Sequence, residues 1–228
     1  MKLNYFTLIF QKYNANISAE ILTSTTEEQR RRWTDTLLRE SAYMTEYILR
    51  AMNREFSFDC KRINFICTNH PLRDGVRKIG SVHEIDVPFN IEYFFFSDKQ
   101  KEAYLFEVLY EGLKILCKAK EWDFALFEKH LLSLRDRGFS VEFYLDKKRC
   151  KREQTVAIPF GVQTMHETTF YMDFFQKRKL VLRKPLMITR TESMLYNYKI
   201  DHMAWIDDNT VAVYDYPETN VVYVNMDD

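Results

Sequence analysis

The 228-residue chain predicts an α+β fold: a mainly antiparallel sheet, its C-terminal meander running from about 139 onward, with three helices at about 26–52, 98–119 and 122–137 packed on it. Three observations carry this. Apolar residues recur at helical spacing through three long stretches of the first 138 residues. From Phe139 the pattern changes to period two and stays there. No Pro/Gly/Ser-rich linker separates the halves, so one continuous unit is expected, with a possible subdivision into a helix-rich 1–138 and an all-β 139–228.

The N-terminal run from Leu3 to Phe10 is broken by Thr7, followed by Gln11 and Lys12, and too short for a leader, so it reads as a first strand. No apolar stretch approaches the ~20 residues a membrane span needs. Thr25 with Glu28 makes a capping box for the first helix, and Trp33, Leu37, Met44, Ile48 and Ala51 form its apolar face. Arg30, Arg31 and Arg32 in its first turns read as a solvated face. Strands follow near 62–68 and 81–87, the second with a bulge, and the aromatic stretch Asn90–Phe96 reads as a further strand. Ser97 and Gln100 cap the second helix, whose stripe runs from Ala103 through Phe106, Leu109 and Leu113 to Cys117. The third helix buries Phe124, Phe127, Leu131 and Leu134 and stops at Gly138, the expected left-handed residue. Strands are then expected near 139–145, 155–162, 167–175 and 180–188. A connector, 189–200, leads to three more near 201–206, 210–215 and 221–226.

Composition excludes several functions. The chain has five glycines, no two closer than five residues, so it holds neither a P-loop nor a dinucleotide fingerprint, both of which need glycines at close spacing. Its four cysteines, Cys60, Cys67, Cys117 and Cys150, form no CxxC pair, which argues against a zinc site and a disulfide framework and for a reducing, cytoplasmic setting. The five histidines are scattered, with no H-E-x-x-H. Glu107 and Glu111 share a helix face but read as a solvated strip beside Lys114. His166 and Asp173, seven apart on a strand, point to opposite faces and make a poor dyad. Cys67 and His70 stand without context. No catalytic residue, metal ligand or cofactor is assigned, and the chain reads as non-enzymatic; an enzyme with a dispersed, motif-less site is the third reading.

The formal charge is zero, yet residues 147–190 carry eleven Lys/Arg against three Asp/Glu, and residues 200–228 carry seven carboxylates and no Lys or Arg. Segregated charge steers association. The acidic, aromatic C-terminal segment, with Asp201, Trp205, Asp207, Asp208, Tyr214, Asp215 and Glu218, predicts a surface for another protein with a basic face, in the manner of an inhibitor or immunity-type protein. The alternative is a nucleic-acid-associated protein. Lys147, Lys148, Arg149, Lys151 and Arg152 fall in one strand connection and Lys177, Arg178 and Lys179 in another, and a simple meander puts both on one edge of the sheet, an anion-binding edge. If an acidic end adjoins that edge, much of the asymmetry becomes internal neutralisation.

Overall fold

A computed structural model describes residues 2–10, 26–68, 73, 75–145, 148–191 and 193–227. The chain divides into two compact units, Met1–Phe139 and Ser140–Asp228.

The N-terminal unit is built on a four-stranded sheet: β1 (Tyr5–Phe10), β2 (Arg62–Thr68), β3 (Arg77–Ile79) and β4 (Val82–Pro88), in the order β1-β2-β4-β3. β1, β2 and β4 run parallel and β3 is antiparallel to β4, so this sheet is mixed. Both faces of a parallel sheet must be covered, and β2 is accordingly buried from Ile63 to Thr68. Helix α1 (Glu27–Glu55) lies against β1, and α2 (Asp98–Lys120) against β4. α3 (Ala125–Asp136) packs on α1 and α2. The approach of α2 is set by Gly112: a Cβ there would meet the Phe65 ring at 2.5 Å.

Three local expectations change. The α1 cap is Thr26, whose hydroxyl accepts from the Gln29 N–H at 3.2 Å, and Thr25 lies outside the described residues. Ile91–Phe95 is a 3-10 helix, not a strand. Its start is held by the Asn90 side chain, which accepts from the Glu92 N–H, while Tyr93 packs inward, donating its hydroxyl to the buried Glu40 at 2.7 Å. Short β3 goes unnoticed because three residues carry no periodicity. Two endings do hold. Gln100 accepts the Ser97 N–H at 3.0 Å at the start of α2. Gly138, at φ +61°, closes α3 with bonds from Gly138 N to Arg135 O and Phe139 N to Leu134 O.

The C-terminal unit is antiparallel throughout. β5 (Val141–Tyr144), β7 (Thr155–Gln163), β8 (Glu167–Gln176) and β9 (Lys179–Arg190) pair in sequence order, the meander expected. β6 (Cys150–Arg152) also pairs with β7, so the basic connection is itself partly strand. Helix α4 (Ser193–Lys199) occupies the connector and leads into a second sheet, β10 (His202–Trp205), β11 (Thr210–Tyr214) and β12 (Val221–Asn225). The core between them holds Phe170, Met172, Phe174, Tyr196, Ile200, Val211 and Val213.

Asp173 is wholly buried at the centre of β8. It accepts Nε and Nη2 of Arg183 at 2.7 and 2.8 Å and the Tyr144 hydroxyl at 3.0 Å. The Arg183 guanidinium lies 3.9 Å from the Phe160 ring centroid. A buried charge is tolerated only when so completely satisfied. This is the structural role of Asp173. His166 sits in the exposed turn before β8 and is no part of it.

Candidate functional site

The β10–β12 sheet turns one face to the core and one outward, because neighbours along a strand alternate sides. Met203, Trp205, Val211, Val213, Val222 and Val224 face the core, and Trp205 lies 6.0 Å from Phe174. Trp205 is therefore a packing residue rather than an interface aromatic. The register places His202, Tyr214 and Val221 in one outer row and Ala204, Ala212 and Tyr223 in the next. His202 stacks on Tyr214, with ring centroids 4.5 Å apart and planes within 5°. Tyr223 is 64% exposed. Beyond the strand ends, Tyr216 is 61% exposed and lies 5.9 Å from Tyr198. On this sheet face Tyr223 is exposed, His202 and Tyr214 are half-buried, and Ala212 is buried among its neighbours.

Carboxylates rim both ends of that face. At one end stand Asp201, Asp215 and Glu218; at the other Asp207, Asp208 and Asp227. Several are committed to local structure. Asp215 is buried and closes the β11–β12 turn, accepting from the Asn220 N–H at 2.8 Å and the Asn220 side chain at 2.7 Å. These bonds hold its carboxyl below the usual range. Asp207 accepts the N–H groups of Asn209 and Thr210 at 2.9 and 2.7 Å, which lowers its carboxyl too, with Arg152 nearby adding to the effect. Glu218 is exposed, with one oxygen 3.9 Å from His202 Nε2.

The basic connection runs beside this sheet. β6 packs along β10, so its cations reach both acidic ends. Lys148 bonds the Asp201 carbonyl and stands 3.7 Å from its carboxylate; Arg152 pairs with Asp208 at 2.5 Å. The sequence asymmetry is thus partly neutralised within the unit. Among the described residues the rim holds six carboxylates, offset in part by these two cations and by Lys199, which lines one cavity with Asp215. Of the residues singled out in the sequence, Asp201, Tyr214 and Glu218 lie on this face or its rim. His202 was not among them, because its place opposite Tyr214 depends on the hairpin register.

The remaining basic residues divide. Lys147 lies outside the described residues. Lys151 is exposed on β6 and Arg149 just before it. Lys177 and Arg178 form the two-residue β8–β9 turn, next to Lys179, all exposed. Both turn residues have positive φ, 48° and 69°. A two-residue turn of that geometry favours Asn-Gly, because side chains with a Cβ are strained there. Register brings Gln176 opposite Thr155, so this turn and the β6–β7 turn sit at one end of the sheet, as the meander requires.

Comparison with protein-family models, curated proteins and solved structures gives no match. Among the described residues no helix is long and apolar enough to cross a membrane.

Proposed function

We propose that this protein is a cytoplasmic, non-enzymatic binding protein of the inhibitor type, which docks a basic protein surface on the outer face of β10–β12. The observation that supports this best is the partly exposed aromatic face, with Tyr223 and Tyr216 open to solvent, and its acidic rim. Protein interfaces concentrate tyrosine at their centres and keep charge at the edge, where it steers encounter and sets partner choice. His202, Tyr214, Tyr223 and Tyr216 supply the contact area. Asp201, Glu218, Asp208 and Asp227 supply the charge. The four cysteines, none in a disulfide, fit the reducing compartment.

Poly-lysine immobilised on a sensor surface is a suitable first probe. Binding is expected to weaken with added salt and to fall at least tenfold in Tyr223→Ser/Glu218→Gln. No binding to the polycation, or binding indifferent to that double variant, would contradict the reading.

A second reading has its own support. The Lys177-Arg178 turn keeps two cations in backbone positions that suit Asn-Gly. A strained site retained in a surface turn is a pointer to function. Nucleic-acid binding through Lys177, Arg178, Lys179 and Lys151 would fall steeply with salt and vanish when the turn is neutralised.

A further inference from the structure

Three donor groups of different chemistry converge at one end of the N-terminal sheet. Asp59 and Cys60 lie just before β2, and His83 is the second residue of β4. Because β2 and β4 are parallel and Ile63 pairs with His83, both strands start at the same edge. A backbone bond from Lys61 N to Ser81 O at 2.9 Å ties the two approaches together. The thiol of Cys60, a ring nitrogen of His83 and a carboxylate oxygen of Asp59 all lie within 4.8 Å of one another.

The polar accounting at His83 is unusual. The residue is 0% exposed, and among the described residues neither ring nitrogen has a hydrogen-bond partner. Burying such a group without a partner costs free energy, and buried polar groups are nearly always satisfied. Asp59 stands beside it, with Oδ1 3.8 Å from Nδ1. The other oxygen of Asp59, Oδ2, accepts from Lys120 at the end of α2. The two oxygens are therefore divided, one held by an ammonium and one turned toward the histidine.

We propose that Asp59, Cys60 and His83 bind a divalent transition-metal ion of the zinc class. The donor set is one sulfur, one nitrogen and one oxygen, which suits zinc; magnesium and calcium prefer oxygen ligands alone. Two anionic ligands, the thiolate and the carboxylate, neutralise the charge of the ion, which a buried site requires. In a tetrahedral site with metal–ligand bonds of about 2.0–2.3 Å, neighbouring donors stand about 3.3–3.7 Å apart, so the cluster contracts by about 1.5 Å at most. Asp59, half exposed, gives the ion its entry and leaves a fourth position for water. Lys120 holds the remaining carboxylate oxygen, as outer partners commonly do. On binding, the Cys60 proton passes to solvent and sulfur bonds the metal. Complete burial of Cys60 argues against the same trio as a nucleophile and base, since a substrate could not reach the sulfur.

The test uses the full chain, stripped with a chelator and titrated with Co²⁺. A thiolate-to-cobalt charge-transfer band should saturate at one equivalent and be displaced by Zn²⁺. Cys60→Ser should abolish the band, and Asp59→Asn should weaken Co²⁺ binding at least tenfold with the circular dichroism spectrum unchanged. The second variant alters a half-exposed side chain and so stands even if the first fails to fold. No band in folded protein, a band that survives Cys60→Ser, or affinity unchanged in Asp59→Asn would overturn the proposal.

Discussion

Each unit clamps a buried carboxylate, and each leaves a wholly buried side chain without a hydrogen-bond partner among the described residues, Gln163 in the C-terminal unit and His83 in the N-terminal. The two differ in that His83 stands beside a carboxylate and a thiol. In the C-terminal unit the wholly buried Asp173 receives three hydrogen bonds from Arg183 and Tyr144, and most of the rim carboxylates have turn or ion-pair partners. In the N-terminal unit Asp86 is clamped in the same way, by Arg73 Nε and Nη2 at 2.8 and 2.9 Å and Arg77 at 2.9 Å, yet His83 three residues earlier on β4 has both nitrogens orphaned. The contrast teaches that a satisfied polar group belongs to the fold. An exposed group, or an orphaned one on which other donors converge as Asp59 and Cys60 do on His83, is available to a ligand. Asp173 and Asp86 fall in the first class; His83, Glu218 and Tyr223 fall in the second.

The sharpest break of this comparison is at Asp173. Asp173→Ala strands a guanidinium stacked on Phe160 and is expected to destabilise the C-terminal unit by about 3–5 kcal/mol, read as a lower urea midpoint. Gly112→Ala, which forces a Cβ against Phe65, is expected to cost about 1–3 kcal/mol in the N-terminal unit. Asp86→Asn should cost about 2 kcal/mol, less than Asp173→Ala because Arg73 is half exposed and regains water.

Asp86 also predicts a pH dependence. Burial pushes its carboxyl up, but hydrogen bonds from the Arg73 side chain and backbone and from Arg77 outweigh burial and hold it below the usual value. A depressed carboxyl contributes stability that is complete above its unfolded pKa, about 4, and is lost as pH falls through the lower folded value. Stability of the N-terminal unit should therefore fall on the acid side of about pH 4, and Asp86→Asn should flatten that fall. A pH profile unchanged by the substitution would remove Asp86 from the satisfied class.

Smaller effects test the surface. Arg178→Gly relieves a strained turn and is expected to raise stability by about 1 kcal/mol. Asp208→Asn removes a largely exposed ion pair with Arg152 and should change stability by less than about 0.5 kcal/mol.

Much of this was legible in the sequence, for physical reasons. Long amphipathic helices and hairpins with polar turns are local patterns, so α1, α2, α3 and the β5–β9 meander follow from spacing. β3, β6 and the 3-10 helix at 91–95 do not, because three to five residues carry too little periodicity. The parallel pairing of β1, β2 and β4 is non-local and leaves no mark in any one segment. The acidic rim was readable as composition. Its partial neutralisation by Lys148 and Arg152 depends on β6 lying along β10, which only the fold supplies. The Asp59, Cys60 and His83 cluster joins residues 24 positions apart and has no motif spacing.

Site-specific photo-crosslinking in the native host decides whether the outer face of β10–β12 docks a partner. The crosslinker is placed at position 223 on that face and, separately, at position 177 in the cationic turn. Crosslinking to a protein with a basic contact surface from 223, and none from 177, is the expected result. Adducts to nucleic acid from 177 with none from 223 would contradict it.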